Sequence, residues 1–141
     1  MLANPLRTTR NSNNESVTCI FCQRISTSPL LAENSGAVAF PDAYPLTSGH
    51  TLVVPRRHEA DFFALSPGER SEVFELIADV KRRLDALHSP NGYNIGVNVG
   101  EAAGQTIPHA HLHVIPRYAG DVADPRGGIR WVLPKKAAYW R

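Results

Sequence analysis

The stretch "IPHAHLHVIPR", residues 107–117, sets three of the chain's six histidines at alternate positions inside an apolar run. A β-strand sends successive side chains to opposite faces, so residues two apart share a face at a spacing of about 6.6 Å. His109, His111 and His113 then point one way, and Ala110, Leu112 and Val114 the other. The second set suits a core. The first predicts an exposed face made wholly of imidazole, a side chain that strands do not favour. A half-buried strand that surrenders a face in this way is built around chemistry.

Upstream, "YNIGVNVG" (93–100) reads as a second strand, and Gly96 inside it suggests a close backbone approach. "AVAFPD" (37–42) gives a short strand stopped by Pro41, and "SGHTLVVPRRH" (48–58) a β-rich run from Thr51 to Val54, closed by Pro55. "SPGERSEVFELIADVKRRLDALH" (66–88) is the one long helix. Ser66 serves as N-cap, Pro67 as first helical residue, and Glu69 completes a capping box. Val73, Ile77, Val80, Leu84 and Leu87 recur at steps of three and four and predict one buried stripe. "SPNG" (89–92) ends the helix, with His88 capping its negative end. Strands, then a helix, then strands predict an α+β fold: an antiparallel sheet with one long helix packed on it.

A length of 141 residues suits one domain with a proper core. Residues 1–16, rich in Asn, Ser and Thr, read as a flexible tail, 17–118 as the domain, and 119–141 as an irregular Pro/Gly-rich segment. In that last segment Trp131 and Trp140 read as packing or partner-subunit contacts. A hydrophobic fraction of 43% with 20% charged residues is ordinary for a globular protein, and a net charge of +2 is too small to imply nucleic acid. No apolar run approaches the roughly 20 residues of a membrane span, and the first residues lack a signal-peptide core. The single Cys-x-x-Cys, Cys19 and Cys22, is no disulfide framework and fits a cytoplasmic setting.

Two chemistries suit the imidazole row. It can hold a metal, given a further ligand from elsewhere, although no histidine follows His113. Alternatively, one neutral imidazole is a nucleophile toward phosphorus, its other nitrogen held by an acceptor, with donors around the phosphate. Asn98, Gln105 and Thr106, in "GVNVGEAAGQTIPH" just before the row, supply such donors, and this favours the nucleophile.

With these residues in view, the sequence resembles the histidine-triad (HIT) family of nucleotide hydrolases and transferases. The resemblance rests on His109-Ala110-His111-Leu112-His113-Val114-Ile115, preceded by "AGQT" and by Asn98 and Gly100, and on "AFPD", "GHTLVVPRRH" and "CIFC". It covers about residues 19 to 118 and is nearest the bacterial branch similar to dinucleoside-polyphosphate hydrolases. It implies that His111 attacks the α-phosphorus of a nucleotide, forming a nucleotidyl-histidine that water releases as a nucleoside monophosphate. It further implies that His113 stands on the leaving-group side and that Asn98, Gln105 and Thr106 contact phosphate. Asp42 would bind the ribose hydroxyls, and His50 would help near the site. Where family members carry the Cys-x-x-Cys, a position matching His58 is a zinc ligand, so Cys19, Cys22, His58 and His109 would form a closed structural zinc site. Ile20, Phe21 and Phe40 read first as core, with Phe40, beside Asp42, the best wall for a nucleobase. The expected partners are a nucleotide substrate and a second copy in a homodimer, with no organic cofactor, membrane or nucleic acid. Three readings stand: a nucleotidyl hydrolase acting on dinucleoside polyphosphates or nucleoside phosphoramidates, a nucleotide-binding protein without turnover, and a metal-dependent hydrolase with the triad as ligands.

Overall fold

A computed structural model describes residues 18–140; the tail expected over 1–16 lies outside the described residues. The elements run α1 (Ile20–Thr27), β1 (Ala32–Glu33), β2 (Ala37–Pro41), β3 (Thr51–Pro55), α2 (Pro67–His88), β4 (Gly92–Val97), β5 (Leu112–Arg117) and α3 (Pro134–Ala137), with short 3-10 turns between them. The strands form one antiparallel sheet in the order β1-β2-β3-β5-β4, and the α+β expectation holds.

Helix α2 begins as its sequence dictates. The Ser66 hydroxyl accepts the Glu69 N–H, the Glu69 carboxylate accepts the Ser66 N–H, and Pro67 occupies the first turn. Its buried stripe is Val73, Leu76, Ile77, Val80 and Leu84. Leu87 does not belong to it: the side chain is 64% exposed. In the last turn Leu84 and His88 close instead on the backbone of Gly49, where an added Cβ would meet His88 Cδ2 at 2.9 Å. Gly49 also has φ of +92°, so a side chain is excluded there twice over.

The stripe of α2 packs against Ala37 and Ala39 of β2, Val53 of β3, Leu112 and Val114 of β5, and Ala110. The alternate residues Val38, Phe40, Leu52 and Val54 face the other side, where Cys19 and Phe21 cover them. Strands β2 and β3 are therefore buried on both faces, which explains their unbroken apolar runs.

That cover corrects the expectation of an exposed imidazole face. His109 is fully buried and His111 is 8% exposed. Nor does the strand begin at the first histidine. The Ala110 N–H goes to the Glu59 carbonyl and the His109 N–H to the Ile107 carbonyl, so pairing with neighbouring strands starts only at Leu112. His109 and His111 lie on the approach to β5, and His113 lies within it.

Beyond β5 the chain folds on itself. The Trp131 indole N–H donates to the Arg126 carbonyl, the Arg126 guanidinium covers the Trp140 ring, and Arg130 donates to the Lys136 and Ala137 carbonyls. Ile129 lies over Gly96 of β4 at ordinary contact distance, 3.5 Å from an added Cβ, so the close approach expected at Gly96 is absent. Among the described residues no helix is long and apolar enough to cross a membrane.

Candidate active site

The partners of each imidazole fix which nitrogen carries hydrogen, and the three members of the row differ. His109 donates its Nε2–H to the Pro55 carbonyl at 2.8 Å. Its Nδ1 lone pair therefore faces Cys19 Sγ and Cys22 Sγ, each 3.5 Å away, and His58 Nδ1 lies 3.4 Å from Cys22 Sγ. The four donor atoms lie within 4.8 Å of one another. In a tetrahedral zinc site the sulfur-to-nitrogen edge is about 3.5 Å, so Cys19, Cys22, His58 and His109 fit zinc. The hydrogen bond to Pro55 is the outer support that orients a ligating histidine. Burial and the adjacent Cys19 push the Cys22 thiol up to about 11, a preference that a divalent cation bound among the sulfurs would reverse. Burial also holds the His109 pKa below the usual histidine value, so the ring is neutral, as a ligand must be.

His111 has the opposite arrangement. Its Nδ1–H donates to the His109 carbonyl at 2.8 Å, which leaves Nε2 with a free lone pair. The ring lines a cavity of about 880 Å³ and meets the edge of Phe21, centroids 5.0 Å apart.

His113 is set through a relay. The Leu46 backbone N–H donates to His50 Nδ1 at 3.1 Å, so His50 carries its hydrogen on Nε2 and donates it to His113 Nδ1 at 2.9 Å. His113 then bears its own hydrogen on Nε2, toward the cavity it lines. Asp42 Oδ2 stands 3.4 Å from His50 Nε2 and 3.8 Å from His113 Nδ1, while Oδ1 accepts the Tyr44 N–H. Burial lowers the pKa of both His50 and His113, and Asp42 only partly offsets it. Asp42, His50 and His113 are also close enough to hold a cation. The Leu46 amide argues against it, because His50 Nε2 already carries hydrogen and has no lone pair to give.

Asp42, His50, Asn98, Thr106, His111 and His113 thus meet on one cavity. Two expected residues do not join them. Phe40 is fully buried beneath Phe21, with the Arg24 guanidinium on its ring, so it supports the wall and cannot touch a base. Gln105 is committed to the loop: its Oε1 accepts the Gly100 N–H, and its Nε2 donates to the Ala60 and Ile107 carbonyls. These bonds occupy both ends of its amide. The wall itself comes from Ile20, Phe21 and Arg24 of α1, faced by Ile129 and Val132. Only recognition of α1 as a helix would have revealed this, since Ile20 and Arg24 are four residues apart and share its face.

Known proteins share sequence and fold with this chain. Residues 23–120 match the family described as HIT domain. The HIT-like protein MG132 of Mycoplasma genitalium is 39% identical over 108 residues, 74% of this chain and 77% of its own length. The bis(5'-nucleosyl)-tetraphosphatase [asymmetrical] of Schizosaccharomyces pombe is 35% identical over 88 residues, 62% of this chain and 48% of its own. A zinc-bound histidine triad family protein from Mycobacterium smegmatis superposes with a TM-score of 0.69 at 35% identity, over 77% of this chain and 81% of that one.

Proposed function

This chain belongs to the HIT family, and from that premise we propose that it is a nucleotidyl hydrolase cleaving dinucleoside polyphosphates at the α-phosphorus. The observation that carries the proposal is the His111 imidazole, its Nδ1–H fixed on the His109 carbonyl and its Nε2 lone pair open to the cavity. His111 Nε2 attacks the α-phosphorus and the bridging P–O bond breaks, its electron pair leaving with the polyphosphate. The His113 Nε2–H hydrogen-bonds the departing oxygen as charge builds on it, and Asn98 and Thr106 do the same for the non-bridging oxygens. Water then attacks phosphorus and gives up a proton to solvent, the P–N bond breaks, its pair returns to Nε2, and a nucleoside monophosphate is released. Asp42 receives the ribose hydroxyls. The fungal relative, a tetraphosphatase by name, supports the substrate class.

Structural zinc belongs to the same proposal, held by Cys19, Cys22, His58 and His109. Held there, it would cross-link the start of α1 to the segment after β3 and to the segment before β5, and the zinc-bound mycobacterial relative supports it. A cytoplasmic setting keeps both thiols reduced for the metal. The homodimer is supported by β4, which among the described residues pairs only with β5 and has an open outer edge.

His111→Asn tests the proposal. Turnover of a dinucleoside polyphosphate should fall by at least ~10³-fold, as on loss of a nucleophile, while AMP binding persists. Unchanged turnover overturns the reading. Metal analysis should find about one zinc per chain, and its absence from purified protein rejects the site.

A further inference from the structure

We infer that Arg24 reads the nucleobase and makes this chain prefer 6-oxopurine nucleotides, guanine or hypoxanthine, over adenine nucleotides. The inference rests on the nucleotide-binding role of the cavity proposed above. Among the described residues Arg24 is the only lysine or arginine lining that cavity. It does not stand at the phosphate end. The rings run from His111 to Phe21, centroids 5.0 Å apart, then to Phe40 at 5.7 Å, and the Arg24 guanidinium lies 4.0 Å from the Phe40 centroid. The guanidinium thus stacks on Phe40, which reaches His111 only by way of Phe21 in this series of contacts.

Its place along a bound nucleotide follows from its anchor. Arg24 donates one N–H to the Pro41 carbonyl, in the residue before Asp42. A nucleotide with phosphorus at His111 and ribose at Asp42 carries its base past this point. Ile20 and Phe21 give the base an apolar wall, and the guanidinium meets its edge. The contact with Phe40 and the bond to Pro41 hold the guanidinium plane, so little freedom is lost when a ligand arrives.

The chemistry of the edges then decides. A guanidinium offers only donors, in a fixed fork. Guanine and hypoxanthine present two adjacent acceptors, O6 and N7, which the fork meets at both atoms. Adenine presents N7 beside an N6 amino donor, which the fork opposes.

Calorimetric titration of the intact protein with GMP, IMP and AMP tests this, since monophosphates bind without turning over. GMP and IMP should bind about tenfold more tightly than AMP, the low end of a two-point base contact. Arg24→Leu, which keeps an apolar group over Phe40, should bring the three affinities together, and Arg24→Lys, which keeps the charge without the fork, should lose most of the preference. Thermal melts of both variants establish that they are folded. Equal affinities in the unaltered protein, tighter AMP binding, or a guanine preference that survives Arg24→Leu each overturn the inference while leaving the cavity a nucleotide site. Failure of all three nucleotides to bind would overturn the functional proposal beneath it.

Discussion

The two faces of the sheet follow opposite rules, although the same strands build both. On the α2 side Ala39, Val53, Leu76, Val80 and Val114 interlock as apolar groups, each nearly or fully buried. On the α1 side Cys19, His109 and His111 are buried too, yet each polar atom described above has a specific partner or an open position facing the cavity. Burial alone therefore does not separate scaffold from site. What separates them is whether the buried atoms require partners.

The contrast can be tested from both ends. On the α2 side, Leu76→Ala should cost about 2–5 kcal/mol in a denaturant melt through loss of contacts and a cavity, with kcat/KM per folded molecule unchanged. A large loss of kcat/KM at little cost in stability would break the distinction. On the α1 side, His50→Phe removes the relay to His113 but fills the same space. It should lower kcat/KM about tenfold, as expected on losing a hydrogen bond of about 1–1.5 kcal/mol that orients His113. The melt should change far less. The Ser66→Ala variant, remote from both, should cost about 1 kcal/mol of stability by removing the cap of α2, with kinetics unaltered.

Titration gives the gentlest probe. His50, His109 and His113 all have pKa values lowered in the folded protein, chiefly by burial. Between the folded and unfolded values the unfolded chain binds more protons, so stability is full above the ordinary histidine pKa of about 6.5 and declines as pH falls below it. Urea melts from pH 8 to pH 5 measure this. A midpoint that stays level over that range would show that these rings are not held neutral.

The scaffold was more legible in the sequence than the site. Helix α2 carries local signals, a cap, a proline and a period, that act within one stretch of chain. Strands β2, β3 and β4 are likewise bounded by Pro41, Pro55 and "SPNG". Helix α1 has no such signal. Its eight residues buried only Phe21, and the end at Cys19 has no side-chain cap, so the helix depends on contacts distant in sequence. The two phenylalanines depend on it: Phe40, beside Asp42 in sequence, is sealed beneath Phe21, which α1 brings to His111. Gln105 is hard to read from sequence for a related reason. An amide near a phosphate site and an amide bracing the adjacent loop look alike until the Gly100 and Ala60 partners are in place.

The Leu46 amide has one more consequence. A peptide N–H does not titrate in the physiological range, so through His50 a main-chain group in a loop dictates which nitrogen of His113 carries hydrogen, whatever the side chain at 46. Alanine scanning would leave that instruction in place and report only a change in the cavity wall. Replacing Leu46 with proline or with an ester-linked residue would erase it, marking a position whose meaning is written in the backbone.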